Sequence, residues 1–181
     1  MSEPPSTEST EPLTDADRGQ VAATAAEIYE GFFLPALFQQ WAVPVLEAAE
    51  TSRDDHLLDV GCGTGVVARE AIARVGRDGR VVGIDPNDGM LAVARKTLGV
   101  DWRKGVAEDL PFDDDTFDVV VCQFAMMFFE DRDQAVREMQ RVLRPGSRVA
   151  IATWASLFET PGYAAVVELP DRLFGSDAAD A

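Results

Sequence analysis

The chain has 181 residues, 46% of them hydrophobic, so it is long enough for one ordinary domain but not for two of typical size. Its 32 acidic and 16 basic residues give a net charge of −16, which repels nucleic-acid phosphates and anionic lipid headgroups. The composition therefore argues against nucleic acid as the main partner.

The cysteines and the amino terminus indicate the compartment. Cys62 and Cys122 lie far apart, and neither has a neighbouring Cys or His, which excludes a structural zinc site. We interpret both as buried thiols in a reducing compartment. The first residues, MSEPPSTESTEP, are unlike a secretory signal, and no run reaches about 18 apolar residues. The sequence therefore predicts a cytoplasmic protein with no metal site and no membrane insertion.

The amino-terminal part is predicted to be helical after a short tail. Residues 1–14 lack aromatic residues and any apolar period, which is typical of a disordered acidic tail. Over residues 15–50, apolar residues recur at helical spacing and predict a helical cap. Pro35 and Pro44 are expected to break this cap into shorter helices.

The rest of the chain, residues 51–181, alternates predicted strands with predicted helices and is treated as one domain. The strands are expected at residues 56–60, 80–85, 99–104, 117–123 and 147–153. The helices are expected at about 65–75, 88–98, 131–143 and 162–174. Such alternation is typical of an α/β domain, a parallel sheet with helices on both faces.

Three glycines, Gly61, Gly63 and Gly65, follow the first predicted strand in the stretch LLDVGCGTGVVARE. Glycines at such a turn let the chain bend sharply and let a ligand approach the backbone closely. The dinucleotide-binding pattern G-x-G-x-x-G needs its third glycine where this chain has Val66. The spacing therefore argues against NAD and an oxidoreductase.

Two carboxylates stand at the ends of the first two strands. Asp59 precedes the glycine loop, where it would repel a pyrophosphate and attract an ammonium or sulfonium group. Alternatively, Asp59 only accepts hydrogen bonds from the loop's backbone amides. Asp85 follows the second strand at the distance from the loop where a ribose-binding acid occurs, and its two oxygens can accept from two hydroxyls. Alternatively, Asp85 is only a helix cap.

Four longer segments carry a family resemblance. They are LLDVGCGTG, VVGIDPNDGML, AEDLPFDDDTFDVVV and REMQRVLRPGSRVAIATW, in this order. Together they resemble the class I S-adenosylmethionine-dependent methyltransferases, in the small-molecule branch that includes the ubiquinone and menaquinone C-methyltransferases. The resemblance spans about residues 29–174 and implies a Rossmann-like, doubly wound sheet that binds S-adenosylmethionine. It also implies methyl transfer to a small, apolar molecule.

The resemblance further implies which residues hold the cofactor. Asp59 would lie near its ammonium group, and Asp85 would hold its ribose hydroxyls. Gly61 and Gly63 would lie against its methionine part, and Gly65 belongs to the same cofactor-binding loop. Pro86 and Met90 would flank the adenine ring, although a methionine at this spacing is also a common core residue.

Three more positions are implied to face ligands. The family often carries Asp where this chain has Val106, and that carboxylate accepts a hydrogen bond from the adenine amino group. Here Glu108 or a backbone carbonyl is expected to replace it, so we expect backbone contacts at Val106 and Ala107. Gln123, at the end of the fourth strand, would face the cofactor and the acceptor cavity.

No catalytic side chain is predicted. Methyl transfer is a displacement at an activated sulfonium carbon, so positioning the reactants and excluding water are the main contributions of the protein. His56 precedes the first strand, away from the ligand-binding strand ends, and the acidic run at 113–115 is interpreted as a solvated turn. The loop at 124–129, with two methionines and three phenylalanines, either lines an apolar acceptor pocket or packs as core.

The carboxyl-terminal part departs from the family pattern. A full domain of this family has seven strands, of which the last two form an antiparallel hairpin, and only five strands are predicted here. The chain is therefore expected to be incomplete there and to self-associate through the open edge of its fifth strand. Turnover is expected to be low, and the alternative function is a truncated or non-catalytic S-adenosylmethionine-binding module that needs a partner or further residues.

Overall fold

Five parallel strands form the sheet of this computed structural model, which describes residues 23–156 together with residues 159, 160, 165, 169 and 172. The strands are β1 (His56–Val60), β2 (Arg80–Asp85), β3 (Asp101–Lys104), β4 (Phe117–Gln123) and β5 (Leu143–Ala152). Their order across the sheet is β3-β2-β1-β4-β5. The predicted α/β, Rossmann-like sheet is confirmed, and its strand order reverses between β1 and β4, where such folds bind ligands.

Helical segments precede and connect the strands. They are α1 (Ala23–Ile28), a π-helix (Tyr29–Phe38), α2 (Gln39–Ala48), α3 (Val66–Val75), α4 (Asp88–Ala94), a 3₁₀ turn (Met126–Phe128) and α5 (Arg132–Val142). The segments from Ala23 to Ala48 are called the cap below. In chain order, α3 follows β1, α4 follows β2 and α5 follows β4, which is the expected alternation of strands and helices.

Buried side chains lie on both faces of the sheet. Leu57 belongs to an apolar cluster that includes α2 and α3, whereas Leu58 belongs to a second cluster that includes α5. Neighbouring strand residues point to opposite faces, so Leu57 and Leu58 of β1 supply one cluster each. The sheet is therefore covered on two sides, and its ligand-binding edge is formed by the carboxyl ends of the strands.

The two prolines of the cap do not end helices, and the prediction that they break the run is wrong. Pro35 lies inside the π-helix and Pro44 lies inside α2. The changes of helix type fall instead at Tyr29 and Gln39, and the Gln39 amide donates to the Leu34 carbonyl. Proline removes its own amide donor and its ring crowds the carbonyl four residues earlier, but the helical backbone continues through both positions here.

Several element boundaries differ from the predicted ones. β3 begins at Asp101 rather than residue 99, because Gly99 has a left-handed φ of 89° that interrupts an extended strand. α5 ends at Val142, and Leu143 already pairs with Phe117 of β4 ahead of a register shift. Pro145 also opposes any continuation of the helix, since Arg144 before it avoids helical backbone angles.

Other predictions fall largely outside the described residues. The tail at 1–14 lies there, and so does most of the helix predicted at 162–174, of which only residues 165, 169 and 172 are described and are helical. Strands beyond β5 stay untested for the same reason. The division into a cap at 15–50 and a domain at 51–181 stays a prediction.

Candidate functional site

The glycine loop between β1 and α3 contains three left-handed residues with different surroundings. Gly61, Gly63 and Gly65 have φ values of 69°, 54° and 90°. A Cβ at Gly61 would clash with Ala125, and a Cβ at Gly65 would clash with the Trp102 ring. A Cβ at Gly63 would meet no atom within 4 Å. Packing against the protein therefore explains two of the glycines, and only Gly63 borders open space in which a ligand can lie.

Asp85 joins the glycine loop to the end of β2. Its Oδ2 accepts from the Gly63 amide and its Oδ1 from the Asn87 amide, both at 2.8 Å. Burial raises the pKa of Asp85, while the Asn87 and Gly63 amides act in the opposite direction. A carboxylate offers about four acceptor positions, so two remain for ligand hydroxyls.

The alternative role of Asp85 as a helix cap is taken by another residue. Asn87 precedes α4, and its side-chain oxygen accepts from the Met90 amide at 3.1 Å. Asp85 thus orders the loop and the start of the β2–α4 connection, and the helix end itself is capped by Asn87.

Asp59 is enclosed beneath the same loop. Its Oδ2 accepts from the Ala68 amide in the first turn of α3, at 3.1 Å. Burial raises the pKa of Asp59 to about 7; the Ala68 amide and Arg69 lower it, and Asp85 raises it. The alternative that Asp59 only accepts hydrogen bonds from the loop's backbone amides is therefore partly right. One of its oxygens does accept from a backbone amide, but that amide belongs to α3.

The residues expected around an adenine ring follow β2 and β3. Pro86 is exposed, Met90 is half-buried, Val106 is exposed and Ala107 is buried. Met90 is therefore not simply a core residue. These four positions adjoin the carboxyl ends of two neighbouring strands, where the sequence places them.

Glu108 is engaged elsewhere. Its Oε1 accepts from the Glu130 amide at 2.9 Å, in the segment before α5. This contact favours the other expected substitute for the missing family Asp, a backbone carbonyl near Val106.

The cap contributes residues that the sequence analysis did not identify. Arg69 of α3 donates to Glu30 Oε1 at 2.8 Å and to the Thr64 carbonyl of the glycine loop at 2.7 Å. Burial, followed by the negative charges of Glu30 and Asp85, raises the pKa of Tyr29 to about 12. The cap therefore reaches the glycine loop, and no signal in the sequence distinguished Arg69 from Glu70 and Arg74, the other charged residues of α3.

Three buried polar atoms at this junction lack hydrogen-bond partners within the described part of the chain. They are Glu30 Oε2, Thr64 Oγ1 and Gln123 Oε1. Buried polar atoms are normally paired, so each calls for a physical explanation. Glu30 belongs to the cap, Thr64 to the glycine loop and Gln123 to the end of β4. All three therefore lie where the cap meets the strand ends. Two of the three atoms are pure acceptors, which suits a ligand that carries donors.

Gln123 ends β4, and its Nε2 donates to the Phe38 carbonyl of the cap at 3.2 Å. The loop that follows, 124–129, was expected either to line an acceptor pocket or to pack as core, and its residues differ in this respect. Phe124 is buried and Phe129 packs against the core, whereas Met127 and Phe128 are exposed. The core interpretation therefore holds for part of the loop only.

The residues interpreted as non-catalytic lie away from this site. His56 begins β1; its amide donates to Asp118 at 2.9 Å and its ring lies 3.4 Å from Arg144. Among residues 23–156 and the few described beyond them, no three His, Cys, Asp or Glu side chains are grouped as metal ligands. No helix within the same residues is long and apolar enough to cross a bilayer.

Sequence comparison identifies relatives of this chain. A protein of Idiomarina loihiensis named ubiquinone/menaquinone biosynthesis C-methyltransferase is 36% identical over 143 residues, which cover 75% of this chain and 57% of the relative. The chloroplastic 2-phytyl-1,4-β-naphthoquinone methyltransferase of Arabidopsis thaliana is 38% identical over 120 residues, which cover 61% of this chain and 46% of the relative. The chain thus spans about half the length of the curated relatives it matches.

Structural comparison leads to the same group of proteins. An S-adenosylmethionine-dependent methyltransferase from Mesorhizobium loti is 27% identical with a TM-score of 0.54, over 65% of this chain and 55% of that one. The methyltransferase domain family matches residues 58–151, from β1 to β5. Because this match covers more than half of the sequence, the chain belongs to the methyltransferase domain family.

Proposed function

We propose that this chain binds S-adenosylmethionine and transfers its methyl group to a small, apolar acceptor of the quinone type. The observation that carries the proposal is the open space at Gly63, whose amide is bonded to the carboxylate of Asp85. Such a loop lets a ligand approach the backbone directly, next to a carboxylate that can hold ribose hydroxyls. The relatives named above support the methyl transfer and the acceptor class.

The charges around the loop suit a cationic ligand. Asp59 and Asp85 supply carboxylates from β1 and β2, and Glu30 supplies a third from the cap. Arg69, the cation of this cluster, is already paired with Glu30. Opposite charges attract at short range, so the cluster favours an ammonium or sulfonium group over the pyrophosphate of NAD.

The chemistry follows from positioning. S-adenosylmethionine supplies a methyl carbon already activated by its positive sulfur. Asp85 and the glycine loop would hold the ribose and the methionine part, and Asp59 would lie near the ammonium group. The aromatic side chains of Phe38, Phe124 and Trp154 would exclude water on the acceptor side.

Titration calorimetry with S-adenosylhomocysteine and NAD in parallel tests the cofactor assignment. We expect a 1:1 isotherm with S-adenosylhomocysteine and none with NAD. Binding of NAD alone would contradict the proposal. Binding without methyl transfer to any naphthoquinol would favour the alternative, a non-catalytic cofactor-binding module.

Replacing Asp59 with Asn is expected to stabilise the ligand-free protein at pH 8. The folded pKa of about 7 exceeds the ordinary value of 3.8, so this carboxyl stabilises the fold fully below about pH 4, and that contribution is lost as the pH rises through 7. Asn buries no charge and can still accept from the Ala68 amide. We expect a gain of about 2 to 4 kcal/mol at pH 8 and little change at pH 4, measured by denaturant unfolding.

The same variant is expected to bind S-adenosylmethionine more weakly, because a negative charge near the ammonium group is lost. If the unfolding curves of the wild-type protein and the variant coincide at both pH 4 and pH 8, the prediction that the buried charge of Asp59 destabilises the fold is contradicted. Unchanged affinity would contradict the placement of Asp59 beside the ligand.

Self-association and a cytoplasmic location remain proposals from the sequence. Within the described residues, β5 pairs with β4 alone and exposes the side chains of Val149 and Ile151. An open strand edge of this kind can pair with a second chain. Light scattering that shows a stable monomer over a wide concentration range would contradict self-association.

A further inference from the structure

The side-chain amide of Gln123 has one satisfied end and one unsatisfied end. Its Nε2 donates to the Phe38 carbonyl at 3.2 Å. A carbonyl oxygen only accepts, so this bond fixes which end of the amide faces the cap. Oε1 is thereby turned away from the carbonyl, and it is buried with no donor within the described residues. A donor from a ligand would satisfy it.

The next residue is held in a strained conformation. Phe124 has a φ of 53°, in the left-handed region that bulky side chains avoid. Its amide donates to the Ala152 carbonyl at 2.8 Å, and its ring stacks on Trp154 with 4.3 Å between centroids and an interplanar angle of 20°. Strained residues of this kind cluster at ligand sites, where the surroundings hold them in place.

Aromatic residues adjoin Gln123, since Phe124 follows it in the chain and Phe38 accepts its hydrogen bond. The Phe38 ring lies 5.8 Å from Phe124 and 6.0 Å from Trp154. Trp154 is 38% exposed, so the group reaches the surface on that side. A buried, unpaired hydrogen-bond acceptor therefore belongs to a residue that adjoins a group of flat apolar rings, at the end of β4 where the strand order reverses. A planar aromatic molecule with a hydroxyl group matches both features.

We propose that Gln123 and the Phe124–Trp154 stack recognise the methyl acceptor, with Gln123 Oε1 accepting a hydrogen bond from a hydroxyl on its aromatic ring. The inference rests on the proposed function and adds a residue that selects the acceptor. A ring oxygen without a proton has no hydrogen to donate. It and Gln123 Oε1 would then be two acceptors that cannot form a hydrogen bond. The site therefore distinguishes a phenolic or hydroquinone ring from its ether. Because Oε1 is buried, a neighbouring side chain must move aside when the acceptor binds.

Two naphthalenes in which each ring oxygen carries either a proton or a methyl group test the inference. Calorimetry with and without S-adenosylhomocysteine compares 1,4-dihydroxynaphthalene, kept under reducing conditions, with 1,4-dimethoxynaphthalene. The wild-type protein is expected to bind the diol about 10-fold more tightly than the ether. Gln123→Leu is expected to weaken binding of the diol about 10-fold and leave the ether unchanged, which removes the difference. Gln140→Leu, at an exposed position of α5, is the matched control and should keep the wild-type preference.

Each outcome decides a separate point. Equal affinity of the wild-type protein for the two naphthalenes overturns the inference without any variant, even if Gln123→Leu does not fold. A preference retained in Gln123→Leu, or a loss of affinity only for S-adenosylhomocysteine, also overturns it. Failure of the wild-type protein to bind S-adenosylhomocysteine contradicts the proposed function instead.

Discussion

Gly63→Val is expected to abolish binding of S-adenosylhomocysteine while the protein stays folded. The new side chain would enter the open space beside Asp85, in which the methionine part of the ligand is proposed to lie. Its only structural cost is the left-handed φ of 54°, about 1–2 kcal/mol for a residue with a Cβ. Calorimetry for binding and circular dichroism for folding measure the two effects separately.

Two other glycines serve as controls. Gly146 also has a left-handed φ, 82°, and open space around its Cβ position, but it lies near the amino end of β5. Gly146→Val should show the same loss of stability and normal binding. Gly65→Val should destabilise the fold itself, because its side chain would clash with Trp102. A folded Gly63→Val protein with wild-type affinity would show that the loop is not the cofactor site.

Asp85→Ala is expected to weaken S-adenosylhomocysteine binding by about 1.5–3 kcal/mol for each charged hydrogen bond lost. A position at the end of a strand would by itself leave the fold unaffected. The structure adds a second effect, since the Gly63 and Asn87 amides would both lose their acceptor. We therefore also expect a lower unfolding midpoint, measured by thermal denaturation in the absence of ligand.

Asp88→Ala is the matched control for the loss of charge. Asp88 lies three residues further along and pairs with Lys104 at 2.5 Å, and its side chain is 62% exposed. Its removal should leave ligand affinity within about two-fold of wild type, because exposed ion pairs contribute little. Equal effects of the two substitutions would mean that overall charge, rather than contact with the ribose, governs binding.

The sheet and the glycine loop were predictable because their signals are local. Apolar runs that end in Asp59 and Asp85 mark two strand ends, and the glycines mark the turn between β1 and α3. The roles of the individual glycines were not predictable, since they depend on Ala125 and Trp102, which approach from distant parts of the chain. Periodicity also says nothing about a partner 39 positions away, as in the contact of Arg69 with Glu30.

The cap illustrates a second limit of sequence patterns. Proline at positions 35 and 44 normally predicts a break, yet helical backbone continues through both. Local propensity is a weak guide where a segment is held by packing, here through Phe38 and its aromatic neighbours. The same packing hides the polar atoms of Glu30 and Gln123 that give the cap its proposed role at the site.

The hydrogen bond from the Ala68 amide to Asp59 has a consequence for how the chain folds. The residue before α3, Gly65, has no side chain to cap the helix, so an acceptor for this amide comes from β1, nine positions earlier. The helix start is therefore complete only once β1 and the loop have taken their native path. We expect these three elements to open and close as one unit in hydrogen exchange, with the Ala68 amide as slow to exchange as the backbone of β1.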